Sequence, residues 1–138
     1  MLYKAQLHST LHTTSPQGES DIIEQSVPAT VALREEGSWS IRFAEEENRG
    51  NTTIQGTDHW VSITREGETY SHLLFRVGQR LESIYKTPHG EFEMATEATE
   101  FRADIDAKKG SISLHYELYI SDNLTARNRL EVNLEVRD

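Results

Sequence analysis

Strict alternation of apolar and polar side chains near the C-terminus is the feature that most limits how this chain can fold. From Leu124 to Val136 the even-numbered positions are apolar except for Asn128, and the odd-numbered positions are all polar. Successive side chains of a β-strand point to opposite faces, so the pattern predicts an antiparallel strand with one wet face. We expect Leu130, Val132 and Leu134 to be buried. We expect Arg129, Glu131 and Glu135 to be exposed.

The same two-residue period recurs through most of the chain. Ile112 to Ile120 places its even-numbered, mostly apolar residues on one face, and the following Ser-Asp-Asn segment is typical of a hairpin turn. The N-terminal residues alternate as well. Further strands are predicted at about 21–33, 38–43, 51–57, 59–65, 69–77, 80–87 and 91–105, which gives nine or ten strands in all.

Three local features modify this pattern. The apolar phase changes within residues 91–105, which predicts a β-bulge near Thr99, although residues 92–101 also contain good helix formers. Pro28 lacks a backbone N–H and therefore indicates a bulge or an edge position in its strand. In the segment from Tyr85 to Gly90, proline and glycine are typical of a tight turn, so we interpret it as a hairpin corner.

Regular hairpins without convincing helices favour an all-β domain, either a sandwich or a barrel. We predict a single domain over residues 1–138, built as an antiparallel up-and-down β-barrel of about eight to ten strands. A closed barrel has the further advantage that it removes exposed sheet edges.

Composition excludes several classes of function. The chain carries 23 acidic against 14 basic residues and a net charge of −9, so nucleic acids and anionic membrane surfaces are disfavoured as partners. It has no cysteine, which excludes disulfides and thiolate chemistry. No segment approaches the roughly 20 apolar residues that span a bilayer, and no secretion signal is evident. We therefore predict a cytoplasmic protein.

Several short motifs lie in the middle of the chain, namely Arg65-Glu66-Gly67, Leu73-Leu74-Phe75, Gly78, the segment from Tyr85 to Gly90, and Thr96. Their order resembles the YwiB-like family of small uncharacterised bacterial proteins. The resemblance extends from about Trp39 to Val136. The chain departs from the family pattern at His89, where a tyrosine is expected, and in its longer polar N-terminal segment. It implies a lipocalin-like, or calycin, barrel and implies no activity.

The sequence contains no catalytic or metal-binding signature. Its six histidines fall on separate strands or turns, or lie too far apart along one strand, so they are interpreted as surface residues. The acidic run from Glu45 to Glu47 is interpreted as a solvated bend. We expect no catalytic residue, no metal and no cofactor.

Polar residues on the predicted inward faces are the best candidates for a site, because buried polar groups need partners. They are Ser83, Tyr85, Thr96, Tyr116 and Asn128. These residues would line a cavity for a small, partly apolar ligand, or they would bond to one another in a filled barrel. The leading hypothesis is therefore non-catalytic binding of such a ligand. The alternative is a filled scaffold whose surface binds a protein partner, and an enzyme is the third possibility.

Overall fold

A computed structural model describes residues 1–45 and 50–137 of the chain, and all regular secondary structure in these residues is β. The ten strands are β1 (Leu2–Thr14), β2 (Ser20–Leu33), β3 (Trp39–Ala44), β4 (Asn51–Gly56), β5 (Val61–Glu66), β6 (Tyr70–Phe75), β7 (Arg80–Thr87), β8 (Gly90–Ile105), β9 (Lys109–Ile120) and β10 (Asn123–Val136). None of the described residues belongs to a helix long and apolar enough to cross a membrane.

The strands form one closed antiparallel barrel. Each strand pairs with the next along the chain, and β10 pairs with β1 to close the sheet. In that last pairing Leu7 lies opposite Leu134, so the two terminal strands bring apolar residues together on the inner face. The predicted all-β barrel is thus confirmed, with ten strands.

The strands differ in length, and this leaves two strand edges exposed. β3 to β7 contain six to eight residues each, whereas β8 contains 16 and β2 contains 14. As a result β3 pairs with β2 only at Ala29–Leu33, and β7 pairs with β8 only at Gly90–Glu97. The remaining part of β2 and the remaining part of β8 each extend past their short neighbour, at opposite ends of the barrel.

The barrel core follows the alternation seen in the sequence. Inward residues of all ten strands contribute to it, and the largest fully buried ones include Leu7, Ile41, Phe75, Ile112 and Leu114. In β10, Val132 and Leu134 are buried and Leu130 is half-buried against the core, while Arg129, Glu131 and Glu135 are exposed. The period-2 pattern therefore predicted the faces of this strand correctly.

Local deviations from the regular ladder also match the sequence. The β8–β9 register shifts between Ala98 and Glu100, so Thr99 is the extra residue of a bulge, and the segment with good helix formers is a strand. Pro28 lies just beyond the last residue of β2 that pairs with β3, which is an edge position. The β9–β10 turn places Ser121 and Asp122 at positive φ, as a two-residue hairpin requires.

The β7–β8 turn gives the first testable prediction. Gly90 has a φ of 135°, and its carbonyl oxygen accepts a 3.0 Å hydrogen bond from the Thr87 hydroxyl. A β-branched side chain fits positive φ poorly, so Gly90→Val should lower the free energy of unfolding by about 1–3 kcal/mol. The neighbouring His89→Ala is the control, and it should change stability by less than about 0.5 kcal/mol because His89 is exposed. Urea denaturation of both variants tests this, and equal stabilities would contradict it.

Candidate functional site

A cavity of about 300 Å³ opens at one end of the barrel, near the β5–β6 turn. Its apolar wall is formed by inward residues from five strands, namely Leu11, Ile23, Ile63, Leu73 and Leu130. The other half of the interior is filled by tightly buried side chains such as Leu7, Val31 and Leu134. We call this space the mouth cavity.

The inner surface of the mouth cavity is formed in part by Tyr116, a central residue of β9. Tyr116 is 8% exposed and lies directly opposite Asn128 of β10, which is 6% exposed. Burial raises the pKa of the Tyr116 phenol, while a hydrogen bond from the Asn128 side chain and the positive charge of Arg65 lower it in part. Tyr116 is therefore protonated at neutral pH and is a hydrogen-bond donor.

Tyr116 has an aromatic packing partner, and Asn128 has an unpaired side-chain oxygen. The Tyr116 ring packs edge-on against Phe75, with ring centroids 4.6 Å apart and an interplanar angle of 61°. The Oδ1 atom of Asn128 is buried and has no hydrogen-bond partner among the described residues. A buried polar atom without a partner is costly, so the Asn128 oxygen is an open acceptor beside Tyr116.

Three charged residues, Glu45, Arg65 and Glu66, lie at the rim of the mouth cavity. Glu45 follows β3, and its side chain is only 19% exposed; Arg65 near the end of β5 is 54% exposed, with Nε 4.0 Å from Glu45 Oε1. The buried Thr52 hydroxyl donates a hydrogen bond to the same carboxylate oxygen. The rim is thus polar, and the wall combines apolar residues with a few polar ones such as Ser9 and Gln25, as expected of a site that orients a mostly apolar molecule through a few polar groups.

The structure brings together only two of the five residues singled out in the sequence. Tyr116 lines the mouth cavity with Asn128 as its neighbour. Thr96 is buried, and its hydroxyl donates a hydrogen bond to the Leu74 carbonyl oxygen. Tyr85 is half-buried and packs against Phe92, with ring centroids 6.4 Å apart. Thr96 and Tyr85 therefore have structural partners of their own.

Ser83, the fifth residue, lies at a second hollow of about 550 Å³ outside the mouth cavity. This outer hollow exists because β6 and β7 pair only at Tyr70–Lys86 and Ser71–Tyr85. The Ser83 hydroxyl oxygen is buried without a partner in the described part of the chain. The hollow is larger, but five of its eleven lining residues are charged, against three of thirteen in the mouth cavity, so we favour the mouth cavity as the ligand site.

Arg65 and Glu45 were missed as site residues, although the sequence held a signal for both. Arg65 continues the inward face of Val61 and Ile63, and Glu45 continues that of Ile41 and Phe43. A charged residue at the end of an otherwise apolar face indicates a rim position. For Glu45 the interpretation as a solvated bend was wrong, since the carboxylate is largely covered; Glu46 and Glu47 lie outside the described residues.

His72 and His115 have side-chain partners on neighbouring strands. His72 lies 2.7 Å from the Thr64 hydroxyl, and His115 lies 3.2 Å from a Glu100 oxygen and 3.6 Å from a Glu131 oxygen. Within residues 1–45 and 50–137, no group of three or more histidine and acidic side chains is arranged to hold a metal ion.

Comparison with known proteins places this chain among uncharacterised barrels. A family model described as a domain of unknown function, DUF1934, matches residues 8–132. The uncharacterized β-barrel protein YwiB of Bacillus subtilis (strain 168) is 24% identical over 131 residues, which cover 91% of this chain and 92% of that protein. The crystal structure of the YwiB protein from Bacillus subtilis superposes with a TM-score of 0.87 at 20% identity, covering 99% and 94% of the two chains. The resemblance to the YwiB-like family is confirmed.

Proposed function

The chain belongs to the DUF1934 family of domains of unknown function, and we propose that it binds a small, partly apolar ligand in the mouth cavity. The observation that supports this most strongly is the contrast within one cavity. Apolar residues from five strands form the larger part of its wall, whereas the polar Ser9, Gln25 and Tyr116 lie among them and Arg65 lies at its rim. A cavity of about 300 Å³ is at the small end of ligand sites, which favours a compact molecule.

Tyr116 defines the chemistry of the ligand. Its phenol is protonated, and the hydrogen bond from Asn128 uses an acceptor position of the oxygen and leaves the phenol proton to be donated. A ligand that places a carbonyl or ether oxygen against this proton gains a hydrogen bond in a largely dry cavity. The expected ligand therefore combines an apolar body with at least one hydrogen-bond acceptor.

Binding without catalysis is favoured over enzymatic activity by the chemistry of the cavity lining. Among the described residues that line it there is no histidine or lysine, and its carboxylates lie at the rim, where Glu45 is engaged by Thr52 and Arg65. The hydroxyl groups of Ser9 and Thr69 also line it, but within the described residues neither is hydrogen-bonded to a histidine, lysine or carboxylate, so the lining supplies no nucleophile activated by a base. The expectation of a protein partner stays a prediction.

A pair of matched probes tests the proposal. Acetophenone and ethylbenzene have similar shapes, and only acetophenone carries an oxygen acceptor. We expect the protein to bind acetophenone about 3- to 10-fold more tightly, because a hydrogen bond contributes about 0.5–1.5 kcal/mol. Tyr116→Phe should remove this preference, whereas Tyr85→Phe, outside the mouth cavity, should retain it. Ligand-observed NMR titration measures all four combinations.

Native mass spectrometry of freshly purified protein provides an independent readout. The proposal predicts a co-purified molecule that is lost in the Tyr116→Phe variant. The ligand hypothesis would be overturned if neither probe bound and no small molecule accompanied the protein, or if Tyr85→Phe, and not Tyr116→Phe, abolished the preference for acetophenone.

A further inference from the structure

The second half of β8 has a free edge. β7 pairs with β8 no further than Glu97, and Val77 forms an isolated parallel bridge with Ala98. From Thr99 to Ile105 the strand pairs only with β9, and no other strand of the described chain lies alongside it. We call Thr99–Ile105 the β8 edge.

Hydrogen bonds at its two ends identify which residues of the β8 edge direct their backbone N–H and C=O groups away from β9, toward the free edge of the sheet. Gly78 N–H donates to the Ala98 carbonyl on the β7 side, and Asp106 N–H donates to the Lys109 carbonyl on the β9 side. Between them the bulge at Thr99 shifts the alternation by one residue. The N–H and C=O groups of Phe101, Ala103 and Ile105 therefore face away from β9. They have no hydrogen-bond partner within the described residues.

The other exposed edge, on β2, is protected in two ways. Pro28 offers no N–H next to the end of β3, and the Asp21 carboxylate accepts a 2.9 Å hydrogen bond from the N–H of Ile22. Proline and local capping are devices that keep edge strands from pairing. The β8 edge contains no proline, and its outward backbone groups are not capped by any side chain in the described part of the chain.

The charged side chains on the outer face of the β8 edge would complement those of an antiparallel copy of the same strand. Glu100, Arg102 and Asp104 alternate in sign along it. Arg102 and Asp104 form no ion pair within the described residues, and their cross-strand partners on β9 are the uncharged Ser113 and Ser111. Two oppositely charged side chains two residues apart suit an antiparallel copy of the same strand.

We propose that the β8 edge pairs with the β8 edge of a second copy of this chain, antiparallel and centred on Ala103. This register places the outward backbone groups of Phe101 opposite those of Ile105 in the other copy, and Ala103 opposite itself. It also places Arg102 opposite Asp104 twice, by the two-fold symmetry of such a dimer. Glu100 then faces Asp106, which lies beyond the end of β8 and whose carboxylate already accepts hydrogen bonds from the N–H groups of Lys108 and Lys109. The half-buried Phe101 and Ile105 become covered on the inner face.

Neighbouring registers are less favourable. Centring on Arg102 places Arg102 opposite itself and Glu100 opposite Asp104, and centring on Asp104 places Asp104 opposite itself. Like charges directly opposite each other destabilise an antiparallel pair. Centring on Phe101 pairs Glu100 with Arg102, but it requires backbone groups near Ala98 that already bond to Gly78. The register centred on Ala103 leaves all three outward residues available.

Charge reversal tests both the interface and its register. In sedimentation equilibrium up to about 1 mM, the wild-type chain should show a reversible dimer, since so short an interface is expected to be weak. Arg102→Asp and Asp104→Arg should each weaken the dimer about tenfold or more, because two attractive pairs become repulsive. The double variant Arg102→Asp/Asp104→Arg should dimerise like the wild type. An equimolar mixture of the two single variants should form a mixed dimer.

Two controls separate this proposal from a change in folding and from ligand binding. Each variant should unfold at the wild-type temperature, because both charges lie on an exposed face. Acetophenone binding should be unchanged, because the mouth cavity lies at the opposite end of the barrel. A wild-type chain that stays monomeric would overturn the proposal, as would a dimer unaffected by either reversal. Loss of the dimer in Arg102→Asp alone would overturn the register and favour the one centred on Phe101.

Discussion

Replacing Leu134 by alanine should lower the free energy of unfolding by about 2–5 kcal/mol. Leu134 is 2% exposed, and it lies between Leu7 of β1 and Gly110 of β9, its cross-strand partners. Truncation leaves a cavity that the closed sheet cannot fill by collapse, because hydrogen bonds to both neighbours fix the position of β10. The exposed Glu135→Ala is the matched control and should change stability by less than about 0.5 kcal/mol.

Gly110 shows why the size of Leu134 matters. A Cβ atom on Gly110 would lie 2.8 Å from Leu134 Cδ1 and 3.4 Å from Ile105 Cγ1. In the wild-type chain Gly110→Ala should therefore cost about 1–3 kcal/mol through overpacking. In the Leu134→Ala background the clashing Cδ1 atom is absent, and the new methyl group occupies part of the cavity, so the same change should cost much less.

A double-mutant cycle of urea denaturation measures this coupling. The two substitutions are in direct contact, so their effects should be strongly non-additive. Strictly additive effects would contradict the contact between Gly110 and Leu134. A Leu134→Ala variant as stable as the wild type would contradict the assignment of this face of β10 to the core.

The sequence predicted the strands well because most residues on the outer face of this barrel are polar, even where Ser40 and Ser62 are buried. Under that condition apolar and polar residues alternate with a period of two along the sequence, and the phase of the alternation identifies the inner face. The bulge at Thr99 could be recognised for the same reason, since an extra residue shifts the phase. Strand ends were less accurate: β5 begins at Val61 rather than at His59, because Gly56 and Val61 end the β4–β5 ladder.

The site was less predictable because it depends on where the barrel is filled and where it is empty. Alternation identifies Tyr85, Thr96 and Tyr116 as equally inward, yet only Tyr116 borders the mouth cavity. The difference comes from how far each strand is displaced along its neighbours. That displacement depends on pairings between residues far apart in the chain, such as Tyr116 with Asn128 and Ala98. Such long-range pairings cannot be derived from a single sequence.

Phe75→Ala should be the most damaging single truncation near the mouth cavity, with an expected loss of about 3–5 kcal/mol in the free energy of unfolding. Phe75 is 1% exposed, and its ring packs edge-on against Tyr116. The substitution removes a large buried side chain and the aromatic contact together. Phe92→Ala is the matched control, because Phe92 is 41% exposed and should cost less than about 1.5 kcal/mol.

Phe75→Leu separates the stability role of this residue from its effect on the site. Leucine keeps most of the buried volume, so the variant should fold, but it has no aromatic edge to fix the Tyr116 ring. If the orientation of the Tyr116 hydroxyl determines ligand choice, Phe75→Leu should lose most of the 3- to 10-fold preference for acetophenone over ethylbenzene. Urea denaturation and the NMR titration, performed on the same samples, measure both properties. A folded Phe75→Leu protein with the full preference would mean that the Asn128 hydrogen bond alone orients Tyr116.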